Sequence, residues 1–222
     1  MKIKLQKFIA DSGYCSRRKA EDLILTGKVK VNNEKAVVGM RVDEKDEISI
    51  NNLKIELNKG LVYIVLNKPK NYSCTNKEID GEKNVFSIVE TKERVFIIGR
   101  LDKDSRGLVL LTNDGDFSYR LTHPSFCHEK EYEVETSKEI DEETIDRLLS
   151  GVDIKEKTKA KMKKIEKIGF KKYKVILTEG RNRQIRRMFE VFDCTVRDIK
   201  RTRIDKYCLE DLKEGEWKYI NK

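Results

Sequence analysis

Gly99-Arg100-Leu101-Asp102-Lys103-Asp104-Ser105-Arg106-Gly107-Leu108-Val109-Leu110-Leu111-Thr112-Asn113-Asp114-Gly115 reads as a polar loop held between two apolar strands, 95–98 and 108–111. Polar loops on a rigid scaffold are favoured places for catalytic groups, because the flanking strands fix what the loop presents. The residues alone leave Asp102 and Asp104 as equal candidates. Either carboxylate could instead cap a turn through a bond to the nearby backbone.

Outward from this loop the apolar spacing predicts further strands at 132–136, 160–165 and 173–178, and helices near 117–121, 139–150 and 184–192. Upstream, residues 51–60 are polar and weakly patterned, and Leu61-Val62-Tyr63-Ile64-Val65-Leu66 then starts a strongly apolar strand. Ahead of that boundary the period is helical. Leu5, Phe8 and Ile9 share a face that Ser12-Gly13 ends; Ser16 caps a second helix carrying Ala20, Leu23 and Ile24, and Gly27 stops it. From Val29 the period becomes two, through Val31, an Asn32-Asn33 turn, Ala36-Val37-Val38 and Glu47-Ile48-Ser49-Ile50. The fold class expected is α+β: a small N-terminal α/β domain over 1–57, then a larger domain over 58–222 whose strand and helix order is too irregular for a doubly wound sheet.

Forty-eight Lys and Arg against 39 Asp and Glu give a net charge of +9, which draws a protein towards RNA, DNA or acidic membranes without choosing among them. Five cysteines, odd in number and without a C-x-x-C pair, read as reduced thiols outside zinc or redox chemistry. No signal-peptide apolar region and no run of about 18 apolar residues is present, so a cytoplasmic protein is expected. The Asn71-Tyr72-Ser73 triplet is then no glycosylation site. There is no G-x-G-x-x-G, no G-x-x-x-x-G-K-S/T, no H-E-x-x-H and no H-x-E with paired cysteines, which removes support for nucleotide and zinc hydrolysis. Only His123 and His128 could serve a nucleophile, and Cys127-His128 reads as a solvated loop pair. No metal site is expected.

The stretch 99–115 resembles the signature of the small-subunit-uridine and large-subunit-uridine family of ribosomal pseudouridine synthases, whose catalytic aspartate follows Arg-Leu, the place of Asp102. His128-Glu129-Lys130-Glu131-Tyr132 resembles the family's Lys-x-Tyr element. Glu179-Gly180-Arg181-Asn182-Arg183-Gln184-Ile185-Arg186-Arg187-Met188-Phe189 resembles its Gly-Arg-x-x-Gln-Val/Ile-Arg/Lys-Arg-Met element. With Asn67-Lys68-Pro69 the likeness spans nearly all of 61–217, and Arg94-Val95-Phe96 and Lys200-Arg201-Thr202-Arg203-Ile204 look most like the large-subunit members. The N-terminal region resembles the small RNA-binding module of a ribosomal small-subunit protein and of tyrosyl-tRNA synthetases, with Ser16-Arg17-Arg18-Lys19-Ala20 opening its second helix. One departure is Asn71, where the family usually has Gly; Asn tolerates a positive φ better than most residues.

The resemblance implies a mainly antiparallel catalytic domain and an enzyme that isomerises one uridine of ribosomal RNA, most closely 23S, without a cofactor. It implies Asp102 as nucleophile or base, Arg186 as the cation that keeps it ionised, and Tyr132 stacked on the uracil. Arg100 would fill the place the base leaves, and Arg17, Arg18, Lys19, Lys68, Arg183, Arg187, Arg201 and Arg203 would hold the RNA. Ribosomal RNA, free or in an assembling subunit, is the partner expected, the protein acting as a monomer away from membranes. The same chemistry on 16S rRNA or tRNA, a non-catalytic ribosome-assembly protein and a DNA-binding regulator are the alternatives.

Overall fold

Leu5, Phe8 and Ile9 do form one buried helical face, and the strands that follow close a small core over it. In the computed structural model, which describes residues 2–58, 60–75 and 81–222, the chain divides into two compact units. Unit 1 comprises Met1–Val62, Thr91–Val95 and Asn113–Gly115, and unit 2 the remainder.

Unit 1 runs β1 (Ile3–Lys4), α1 (Leu5–Asp11), α2 (Arg17–Leu25), β2 (Val29–Val31), β3 (Glu34–Lys35), β4 (Arg41–Val42), β5 (Ile48–Ile50) and β6 (Leu53–Ile55). Ser16 caps α2, its hydroxyl accepting from the Lys19 N–H at 3.2 Å, and leaves Arg17, Arg18 and Lys19 exposed on the first turn. The sheet order is β3-β2-β5-β6, with β1 paired to β4. Both tight turns of this sheet are Asn-Asn, with φ of 51° and 69° at Asn32 and Asn33 and 50° and 64° at Asn51 and Asn52. Asparagine enters this left-handed region more readily than other side-chain-bearing residues. The strand expected at 36–38 is absent: pairing ends at Lys35, and Val37 and Val38 are exposed. The strand β6 lies where the sequence looked unpatterned, because its Leu53 faces solvent.

Unit 2 contains β7 (Tyr63–Lys68), β8 (Phe96–Ile98), β9 (Arg106–Thr112), α3 (Gly115–Thr122), β10 (Lys130–Thr136), α4 (Glu142–Ser150), β11 (Lys164–Gly169), β12 (Lys172–Leu177), α5 (Gln184–Glu190), β13 (Val196–Ile204), β14 (Tyr207–Cys208) and β15 (Trp217–Tyr219). The main sheet has the order β11-β12-β10-β13-β9-β7-β15, with β8 on β9 and β14 on β13. Among the described residues its ladders are antiparallel except β9 with β13, so the chain is α+β with a mainly antiparallel larger sheet. Phe117 and Leu121, one turn apart on α3, pack with Val65, Ile98, Leu108 and Leu110, and the Phe117 ring meets Tyr63 edge-on at 4.9 Å. The strand expected at 160–165 begins at Lys164 instead, since Ala160 bridges back to Val152. No helix among the described residues is long and apolar enough to cross a membrane.

The parallel β9–β13 contact depends on one glycine. Gly107, with φ of +106°, sits opposite Arg201, and a Cβ there would lie 2.6 Å from the Arg201 nitrogen and against its carbonyl oxygen. Backbone cannot yield as a side-chain tip can. Gly107→Ala is expected to lower unfolding stability by about 3 kcal/mol, combining the strain of a positive φ with the clash. Urea unfolding checks this, and an unchanged midpoint would contradict it.

Candidate active site

The loop between β8 and β9 is fastened from below by two buried cations. Lys68, at the end of β7 and fully buried, donates its ammonium to the carbonyls of Ser105 (2.6 Å), Pro69 (2.9 Å) and Lys103 (3.4 Å). Arg201, in the middle of β13 and 1% exposed, donates to Leu108 O (2.8 Å), Gly99 O (2.5 Å) and Arg100 O (3.5 Å). Such groups are tolerated in a core only when their donors are satisfied. Burial holds the Lys68 ammonium below the usual lysine value, the nearby Arg201 adding to this against the pull of Cys74, Asp104 and Asp102. Both residues were expected on RNA. In the structure both are buried, their charged ends turned to backbone carbonyls, and each supports the loop that carries the carboxylates.

Asn71 adds a third tether. Its φ is +68°, the conformation for which a glycine is otherwise used, and its N–H donates to Lys103 O at 2.8 Å. Within the loop Gly99 turns the chain with φ of +67°, Ser105 N–H closes on Asp102 O at 3.1 Å, and the Leu101 N–H reaches the Cys74 sulfur at 3.5 Å. Burial pushes the Cys74 thiol up, outweighing the bond from Leu101, so the thiol stays protonated.

A cavity of about 610 Å³ opens above this floor, lined among others by Asp102, Tyr132, Lys130, Arg183, Arg100 and His123. That volume is in the range of small-molecule sites. Asp102 and Asp104 have unlike surroundings. Asp102 lines the cavity with its side chain 31% exposed and has Arg183 at 3.9 Å. Asp104 is 48% exposed and takes Arg183 at 3.3 Å and Arg186 at 3.1 Å.

The other sides are set by β10 and by the turn into α5. Tyr132 alternates to the buried face of β10, is 7% exposed and lines the cavity, its hydroxyl making no hydrogen bond among the described residues. Lys130, two residues earlier on the same face, lines it too and forms no ion pair among the described residues. Burial, with Arg201 near, holds its ammonium below the usual value. Sequence reading did not single out Lys130 for a role, although its spacing from Tyr132 on a strand was the available signal. At the head of α5, buried Gln184 accepts from the Arg181 N–H (3.0 Å) and donates to Glu179 (2.7 Å). Arg183 there has φ of +48° and turns its side chain to Asp102 and Asp104.

The remaining basic residues divide by their partners. The Arg186 guanidinium lies on Asp104 and on the carbonyl of Val196 (2.6 Å), and its buried Nε has no hydrogen-bond partner among the described residues. Arg187 is held by Glu156 and the carbonyls of Ile154 and Asn182, and Arg203 by Glu129 and Asp205 O, so both cations are already engaged. Arg100 is exposed, and its side chain has no hydrogen bond or ion pair among the described residues. The structure brings Asp102, Tyr132, Arg100 and Arg183 to one cavity and does not bring Lys68, Arg187, Arg201 or Arg203 to it as free cations, although Arg201 reaches its floor.

Comparison with known proteins gives a consistent result. A family model described as RNA pseudouridylate synthase matches residues 62–191, and an S4 domain model matches residues 3–48. An uncharacterized RNA pseudouridine synthase of Borreliella burgdorferi is 39% identical over 225 residues, covering 98% of this chain and 89% of that protein. The dual-specificity RNA pseudouridine synthase RluF of Escherichia coli K12 is 41% identical over 219 residues, 97% of this chain and 74% of its own. The ribosomal large subunit pseudouridine synthase B of Bacillus subtilis is 38% identical over 220 residues, with 96% and 90% covered. A crystal structure of a pseudouridylate synthase, 30% identical, superimposes with a TM-score of 0.72 and covers 99% of this chain and 96% of its own.

Proposed function

Since the chain belongs to the RNA pseudouridylate synthase family, and is an RNA pseudouridine synthase with an N-terminal S4 domain, we propose that it isomerises a specific uridine of large-subunit (23S) ribosomal RNA with Asp102 as the reacting carboxylate. The reaction breaks the bond from uracil N1 to ribose C1′, turns the base and joins C5 to C1′, the C5 hydrogen leaving as a proton. Asp102 either attacks C1′ or removes a proton from C2′. Both roles require the ionised carboxylate, and the Arg183 guanidinium lies 3.9 Å from it.

The observation that carries this assignment is that Asp102, and not Asp104, faces the cavity with Tyr132. Tyr132 stacks on the uracil, and its free hydroxyl is available to the C5 proton. Arg186 acts as a positioning cation through Asp104 and Val196 O. A base in a paired or stacked RNA must leave the stack at a cost of a few kcal/mol; Arg100, exposed and unpaired, fills the gap. The exposed Arg17, Arg18 and Lys19 of the S4 domain, with Arg183, contact the phosphates. The enzyme acts as a monomer in the cytoplasm, where ribosomal RNA is found.

Carbodiimide treatment and primer extension of ribosomal RNA from cells lacking the gene tests the substrate. One large-subunit stop is expected to vanish and to return with the wild-type gene. Persistence of every stop would overturn the ribosomal reading. The dual specificity in the Escherichia coli relative's name makes a second RNA the arm to map in parallel, with 16S rRNA and tRNA taken from the same cells.

A further inference from the structure

Four aromatic or imidazole rings crowd into the ten residues after the middle of α3. Tyr119 and His123 lie one turn apart with ring centroids at 4.8 Å. Phe126 meets Tyr119 edge-on at 6.0 Å and is stacked on His128 at 6.1 Å. Tyr119 is 55% and Phe126 46% exposed, whereas their neighbours Phe117 and Leu121 are buried in the core. Single exposed rings are ordinary on a protein surface; a joined group of them marks an interaction site.

The group is also fixed in place. Pro124 starts the one-turn 3₁₀ helix Pro124–Phe126, and His123 caps it, its Nδ1 accepting from the Ser125 N–H at 3.3 Å. Cys127 then turns the chain with φ of +50°, and His128 is anchored on Asp205 at 3.1 Å. His123 and His128 line the same cavity as Asp102. The rings therefore continue the wall of that cavity out to solvent, on a chain whose net charge of +9 favours a polyanion.

We propose that Tyr119, His123 and Phe126 are a stacking platform for the unpaired nucleotides that flank the target uridine, with His128 as the buttress behind Phe126. This rests on the reading of the cavity as the site of a uridine in RNA. Once the uridine has been turned out, its neighbours lose a stacking partner, and exposed rings at the cavity mouth replace it. Every base has a π face, so the platform grips the flanking nucleotides without reading their sequence.

The test uses the full-length chain carrying Asp102→Asn, and fluorescence anisotropy with two labelled probes: a ten-residue oligouridylate and a ten-residue abasic ribose-phosphate chain. Tyr119→Ala with Phe126→Ala is expected to weaken oligouridylate binding roughly tenfold or more, the effect of losing base–aromatic stacking. Binding of the abasic chain and the melting temperature stay unchanged, and Tyr119→Phe with Phe126→Tyr restores oligouridylate affinity. Equal losses on both probes, or no loss on oligouridylate, would overturn the proposal. Because this assay reads binding alone, persistence of every stop in the mapping experiment would refute the substrate assignment while leaving the stacking result to stand or fall separately.

Discussion

Asp102→Asn protein is expected to fold and bind RNA normally while forming pseudouridine at least about a thousandfold more slowly than wild type. The amide keeps the shape of the side chain and removes the charge that either attack at C1′ or proton removal at C2′ demands, and losses of on the order of 10³-fold or more are usual for such groups. Stability is expected to change little. The ion pair of Asp102 is to Arg183 at 3.9 Å, with side chains 31% and 46% exposed, and pairs so open to water contribute at most about 1 kcal/mol. Asp104→Asn is the internal control. Asp104 does not line the cavity and binds Arg183 and Arg186, so its loss is expected to leave turnover within about tenfold, through looser placement of the loop. Tritium release from RNA labelled at uridine C5 measures both variants. Full turnover by Asp102→Asn with its loss in Asp104→Asn would exchange their assignments.

Most of the elements, and the loop between β8 and β9, could be read from apolar spacing because their inward residues are aliphatic: 64–66 in β7, 108–111 in β9, Val134 in β10 and Val175 and Leu177 in β12. Strand β13 could not. Its sequence Val-Arg-Asp-Ile-Lys-Arg-Thr-Arg-Ile looks like a charged surface segment, yet it lies between β10 and β9. Two things hide it. Register shifts against β10 break the alternation of two, and the inward place between Ile199 and Ile204 is taken by Arg201. The same limit applies to the site. Lys68 and Arg201 stand inside motifs that the family likeness assigns to RNA, and a one-dimensional reading gives every motif cation to the polyanion. Only the backbone carbonyls that converge on them, most of them distant in sequence, reveal that their charge is turned inward. The choice between Asp102 and Asp104 was likewise beyond composition and spacing; it rests on the family likeness, and the cavity, which Asp102 lines and Asp104 does not, supports that proposal.

Arg201→Met follows from that inward role and carries the second large effect. Methionine approximates the length of arginine and avoids the cost of burying a cation, but it leaves the carbonyls of Leu108, Gly99 and Arg100 without a donor. Charge-assisted bonds of this kind contribute about 1.5–3 kcal/mol each, while relief of desolvation offsets part of the loss. A net destabilisation of about 3 kcal/mol is expected, or a fall in melting temperature of roughly 6–12 °C for a chain of this size. Arg201→Lys is expected to rescue little, since a single ammonium cannot reach carbonyls on both β9 and the loop as the planar fork does. Activity separates this from simple loss of fold. Gly99 and Arg100 immediately precede Leu101-Asp102, so well below the melting point the variant is expected to lose about tenfold or more in kcat with KM little changed. A variant that unfolds early but keeps full kcat when cold would mean that Arg201 holds the sheet together without positioning the carboxylate.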